Sequence, residues 1–176
     1  MHVGALTFRP VAAADELVAE PVRRYVAETG GDGLYVAAID PELADTAAFC
    51  AHYEIDPAAT ANCVVVQARR GERSWYAACV VLAATRADIN GAVRKHLGAR
   101  KVSFAPMPDA VRLTGMEYGG ITPVGLPADW PVLIDEQVIA AGAVVIGGGL
   151  RGSKLLAEPA ALRALPGAEV LPIALG

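Results

Sequence analysis

Between Thr114 and Pro127 the chain reads TGMEYGGITPVGLP, with Gly115, Gly119, Gly120 and Gly125 set among Pro123 and Pro127. Glycine admits positive φ and close approach of other groups; proline fixes its own φ and restrains the residue before it. A loop so constrained presents backbone N–H and C=O groups at set positions. Such groups can orient an ester carbonyl, hold a water or stabilise a developing oxyanion with no catalytic side chain. Gly119, Gly120, Thr122 and Pro123 are therefore the candidate catalytic positions. Thr122 adds a hydroxyl that either bonds a substrate or stabilises the turn. On composition alone, a tight structural turn is the stronger reading of the whole segment.

A second glycine cluster, Gly147-Gly148-Gly149-Leu150-Arg151-Gly152, follows an apolar run and satisfies G-x-G-x-x-G. The dinucleotide fingerprint also needs a following helix and further βαβ units. Pro159 arrives seven residues after Gly152, too soon for that helix. The cluster is then a structural turn or the wall of a pocket. Asp135 closes the apolar run Val132-Leu133-Ile134, where a carboxylate serves either as a helix N-cap or as a functional group.

Other chemistries find little support. Cys50, Cys63 and Cys79 lie 13 and 16 residues apart, with no C-x-x-C pair, and read as small buried hydrophobes. His2, His52 and His96 are scattered without metal-ligand spacing, so no metal is expected. Ser74, Ser103 and Ser153 all lack the flanks of a G-x-S-x-G nucleophile elbow.

The 176 residues are 54% hydrophobic and 19% charged, a globular composition long enough for a core. The longest apolar runs, 77–84 and 140–146, are too short to span a bilayer, and the N-terminus does not read as a signal peptide. A cytoplasmic protein is expected. Its net charge is −4, unevenly spread: residues 69–101 carry eight basic side chains against Glu72 and Asp88. A basic segment in an acidic protein can face phosphates while the remainder limits non-specific binding. Ordinary solvated charges explain it equally well, since the pattern lacks the aromatic interleaving that marks single-strand binders.

These groups must be held by elements that periodicity predicts. Asp15–Thr29 has helical spacing, with Pro21 either a kink or the true start. Leu34–Ile39 reads as a strand and Pro41–Tyr53 as a helix capped by Asp40. Cys63–Ala68 and Trp75–Leu82 read as a hairpin turning through residues 69–72. Thr85–Leu97 reads as a helix in which Thr85 and Asp88 resemble a capping box. Strands are predicted at 101–105, 132–135, 143–146 and 169–173, and short helices at 108–113 and 159–165. This order is not a βαβα alternation. It favours an α+β fold with a curved mixed sheet. A single domain is expected over 1–176, with residues 1–50 a helical and strand extension of it.

The loop TGMEYGGITPVG resembles that of the YbaK/prolyl-tRNA editing family, with Gly119–Pro123 as its G-x-x-x-P element. The helix end HLGARKVSFA, the run VLIDE, the turn GGGLRG and the closing EPAALRALPGAEV follow the same family in order. The resemblance implies a barrel-like sheet and a free-standing aminoacyl-tRNA deacylase. Such a protein hydrolyses in trans the ester of a mischarged, prolyl-type tRNA, with the tRNA acceptor end and a small amino-acid moiety as partners. It implies no cofactor, no metal and no membrane. It places Asn62, Lys101, Asp135, Gly148, Gly149 and Arg151 at the substrate. Family members carry a lysine at the start of the first long strand, in a K-[TN]-L element. Here that run is Thr60-Ala61-Asn62-Cys63-Val64, and the lysine position falls on Ala61 or Asn62. Lys101, Arg100 or Arg151 could replace the charge. Without a replacement, the chain reads instead as a non-catalytic binder of tRNA or of a small molecule.

Overall fold

The β-rich runs at the centre of the chain fold back on each other. In the computed structural model, which describes residues 1–175, Ala61–Arg70 and Arg73–Leu82 pair antiparallel, from Ala61 opposite Leu82 to Arg70 opposite Arg73. The turn is two residues long and uses Gly71 at φ +61°, a left-handed conformation that glycine adopts without strain.

This hairpin is the middle of a five-stranded mixed sheet. Lys101–Phe104 adds antiparallel to Ala61–Arg70, with Phe104 opposite Val66 and Lys101 opposite Arg69. On the other side Val132–Asp135 runs parallel to Arg73–Leu82, and Ala168–Leu171 runs parallel to it in turn. Val132–Asp135 is buried along its whole length, which is why it reads as a continuous apolar run rather than an alternating one.

The second sheet is antiparallel and four-stranded, in the order Val144–Gly147, Ser153–Ala157, Leu34–Ala38 and Arg9–Pro10. An isolated parallel bridge between Thr60 and Val145 joins the two sheets. Both sheets keep open edges, so the expected barrel is not formed; the α+β class holds. The largest buried cluster draws Val22 and Val26, Val36 and Leu155, Val80 and Ile134, and Leu162 into one core between the sheets and the helices. Each such side chain contributes about 1.5–3 kcal/mol over leaving it exposed.

Several elements differ from their sequence expectation for local reasons. Pro21 marks a true start: the first helix is Glu20–Thr29, and Gly30 at φ +89° ends it. The segment expected to be one helix from Pro41 is two pieces. Asp40 caps only a 3₁₀ turn, Pro41–Leu43, and an α-helix, Thr46–Tyr53, follows it. Thr85 makes no capping box, because its hydroxyl donates to the Leu82 carbonyl. Asp88 is itself the cap, accepting from the Gly91 and Ala92 N–H groups at 3.0 Å each, and opens a π-helical turn, Ile89–Val93, before the helical turn Arg94–Leu97.

Candidate functional site

The two glycine-rich segments meet. The Gly149 N–H donates to the Gly120 carbonyl at 2.7 Å, and the Glu117 N–H donates to the Gly149 carbonyl at 2.9 Å. The approach is too close for side chains. A Cβ on Gly120 would lie 2.7 Å from the Leu150 carbonyl carbon, and one on Gly147 would lie 2.5 Å from the Gly120 oxygen. Gly120 therefore shapes the loop. Its own N–H is taken by the Glu117 carbonyl at 2.9 Å, leaving it no donor for a substrate. Gly119 (φ +87°) is the loop glycine that borders open space, with the Arg151 guanidinium packed where a Cβ would stand.

That space is a cleft of about 590 Å³. One wall is the start of the long strand, with Asn62 and Cys63, and the strand end at Phe104 and Ala105. The facing side is made by Tyr118, Gly119, Gly147 and Arg151, and Ala44–Thr46 and Lys154 complete it. The volume lies in the range of small-molecule sites. Three of the most exposed large apolar side chains, Phe104, Met107 and Tyr118, stand around it.

Of the residues singled out from sequence, the fold brings Asn62, Gly119 and Arg151 to this cleft. Asn62 accepts a hydrogen bond from the Thr46 hydroxyl at 3.2 Å. Arg151 is a clamp between three segments. Its N–H donates to the Glu117 carboxylate at 2.9 Å, and its guanidinium donates to the Tyr118 carbonyl at 3.3 Å and the Pro41 carbonyl at 3.1 Å.

The remaining candidates lie elsewhere. Thr122 and Pro123 are buried behind the loop. The Thr122 hydroxyl has no hydrogen-bond partner among the described residues, and its N–H points to the Met116 sulfur at 3.5 Å. Gly148 and Gly149 pack on Ala19, whose N–H donates to the Gly148 carbonyl at 3.2 Å. Asp135 is 2% exposed and fully occupied. It caps the helix Glu136–Ala140 through the Gln137 N–H at 3.1 Å and accepts from the Ile173 and Ala174 N–H groups at 2.9 and 3.0 Å. Lys101 is exposed on the edge strand, three residues and about 10 Å along from Phe104. With Arg69 opposite it, and Arg70, Arg73 and Arg100 beside them in the pairing, it forms a basic end to the sheet.

One residue in the cleft escaped sequence reading. Lys154 lies on Ser153–Ala157, opposite Gly147, and is 9% exposed. Its ammonium donates to the Ala44 carbonyl at 3.2 Å and sits 4.9 Å from the centre of the Phe49 ring. Burial pulls its pKa below the ordinary lysine value; the Arg151 guanidinium acts the same way, while Cys50 and Asp45 oppose both. The only available signal was a lysine inside the apolar run SKLLA. Cys63, also on the cleft, has its thiol pushed up by burial, as does the deeper Cys79, to about 12; neither is a ready nucleophile.

The sequence profile described as the aminoacyl-tRNA editing domain matches residues 40–165, which hold every lining residue of the cleft. Over 79 residues the chain is 27% identical to EbsC of Enterococcus faecalis, a protein ascribed Cys-tRNA(Pro)/Cys-tRNA(Cys) deacylase activity. That match covers 45% of this chain and 48% of the relative, so the chain spans about half the length of the curated relative it matches. The fold superposes on the crystal structure of a protein assigned as a trans-editing enzyme for prolyl-tRNA synthetase, with TM-score 0.76 and 22% identity over 90% of this chain and 99% of that one. It superposes equally on the hypothetical protein APE2540, with TM-score 0.77 and 22% identity over 89% of this chain and all of the other. The chain belongs to the aminoacyl-tRNA editing domain family.

Proposed function

We propose that this protein is an aminoacyl-tRNA deacylase acting in trans, removing a small amino acid from a mischarged tRNA of the prolyl type. The observation that carries this reading is the cleft itself, walled by Gly119 on one side and by the apolar start of a strand on the other. Water attacks the ester carbonyl carbon there. The negative charge that develops on the carbonyl oxygen is met by the Gly119 N–H, which has no acceptor among the described residues. The bond to the ribose oxygen then breaks, and the water's proton passes to that oxygen through the neighbouring ribose hydroxyl. The apolar wall excludes large side chains and discriminates weakly between those differing by one methylene.

Phe104 and Tyr118 offer stacking faces to the unpaired bases of a tRNA 3′ end. The basic sheet end around Arg69 and Lys101 suits the phosphates that follow. A non-catalytic binding role is favoured by one observation, the neutral Asn62 in place of the family lysine.

The test is deacylation of tRNA(Pro) carrying alanine, cysteine, serine or threonine. Turnover above the uncatalysed rate supports the enzyme and names its substrate. No turnover on any of the four by folded protein refutes it and leaves the binding role.

A further inference from the structure

Lys154 is a buried ammonium without a counter-ion. No carboxylate lies within ion-pair distance of it among the described residues. Removing an ammonium from water is costly unless hydrogen bonds and an opposite charge replace its hydration. The Ala44 carbonyl takes one of its three hydrogens, and the Phe49 ring covers one side. Arg151, the next cation on the same cleft, is likewise held by carbonyls alone at its guanidinium. The other titratable groups around Lys154 are Cys50, on the helix Thr46–Tyr53, and Asp45, just before that helix. Two cations thus open on one cleft, neither in ion-pair contact with a carboxylate, and Asp45 acts on Lys154 only from beyond that distance.

We infer that Lys154, assisted by Arg151, forms an oxyanion-binding subsite in the cleft that holds one anionic oxygen of the substrate. The deacylase reading above supplies two sources for that oxygen: a phosphodiester of the single-stranded tRNA end, or the side-chain carboxylate of an acidic aminoacyl group. The chemistry is the same, a charge-assisted hydrogen bond to a fixed ammonium. The cleft then keeps a positive charge although Asn62 is neutral. The charge comes from the opposite sheet, on Ser153–Ala157, rather than from the start of the long strand.

The experiment compares the wild type with Lys154→Met and Lys154→Arg. Three readouts are taken: binding of uncharged tRNA across a salt series, thermal stabilisation by inorganic phosphate, and deacylation of alanyl and aspartyl tRNA esters. Methionine fills the lysine's volume and removes a buried charge, so Lys154→Met should fold and melt no lower than the wild type. For a phosphodiester, Lys154→Met weakens tRNA binding by about ten-fold at low salt. It also shallows the log–log salt slope by about 0.7. Both esters then suffer equally, phosphate no longer stabilises the protein, and Lys154→Arg recovers binding in part. For a carboxylate, tRNA binding is unchanged and only the aspartyl ester loses turnover. Wild-type affinity, salt slope, phosphate response and turnover on both esters in folded Lys154→Met would overturn the subsite. If the wild type deacylates nothing yet phosphate and tRNA binding depend on Lys154, the deacylase reading falls and the subsite stands.

Discussion

The contact between the two glycine turns makes a quantitative prediction about Gly147. Its φ is unexceptional, so alanine there meets no backbone strain, only the Gly120 and Ile121 carbonyl oxygens, 2.5 and 2.7 Å from the new Cβ. Relief to an ordinary separation of about 3.5 Å requires the turns to part by about 1 Å. Overpacking of this kind costs about 1–3 kcal/mol. For a domain of this size that lowers Tm by roughly 2–12 °C. On the deacylase reading, the same movement carries Gly119 away from the reacting carbonyl, and a displacement of about 1 Å can reduce turnover by up to ~100-fold. Gly152→Ala is the internal control. It lies in the same turn, but its Cβ would meet only Pro41 and Ile39 atoms at 3.6 and 4.0 Å, ordinary contacts. Calorimetric melting of both variants and steady-state deacylation test the argument. Equal damage by the two substitutions, or an unaltered Gly147→Ala protein, would refute it.

Further expectations concern residues whose place in the fold differs from their place in the motif. Asp135→Ala leaves the buried Ile173 N–H and the part-buried Gln137 and Ala174 N–H groups without their acceptor and should cost about 3 kcal/mol in a urea melt. Its turnover at a permissive temperature should stay near that of the wild type, since the carboxylate lies outside the cleft. Thr122→Val removes a buried, unpartnered hydroxyl and should be neutral or stabilising by up to about 1 kcal/mol, with turnover retained; a large fall in turnover would return Thr122 to the chemistry. The depressed pKa of Lys154 fixes the sign of a pH effect. Below its folded pKa both folded and unfolded chains are protonated and the burial cost is full. Between that value and the ordinary 10.5 the unfolded chain binds more protons, so stability rises with pH. Melts from neutral pH to 10.5 should therefore show the wild type gaining on Lys154→Met, while any activity that needs the ammonium falls at a lower pH than an ordinary lysine would dictate.

Local patterns were legible and distant ones were not. The hairpin from Ala61 to Leu82 is visible because β-branched runs flank a short glycine turn, and Pro21 and Gly30 bound the first helix through their own dihedral limits. The two glycine segments could be recognised as constrained, yet nothing in either says that they touch. Asp135 reads as a cap from its neighbours; its bonds to Ile173 and Ala174 span 38 and 39 residues and leave no local trace. Lys154 was hidden for a related reason. The strand Ser153–Ala157 follows a glycine turn and is only five residues long, and whether a lysine on it is solvated or buried depends on the helix packed against it. Gly148 has no room for a side chain beside Ser153, a packing constraint that a motif cannot distinguish from contact with a ligand.

The isolated bridge between Thr60 and Val145 has a consequence for selectivity. The cleft lies along the seam that this bridge marks. Asn62 and Phe104 come from one sheet, Gly147 and Lys154 from the other. Its width is therefore an inter-sheet spacing, governed by the side chains packed behind it, Ile146 among them. On the deacylase reading, a single methylene gained or lost there would retune which amino acid fits while every residue facing the substrate stayed the same. Relatives with identical loops can thus differ in the ester they accept, and the residues that distinguish them are to be sought in the core.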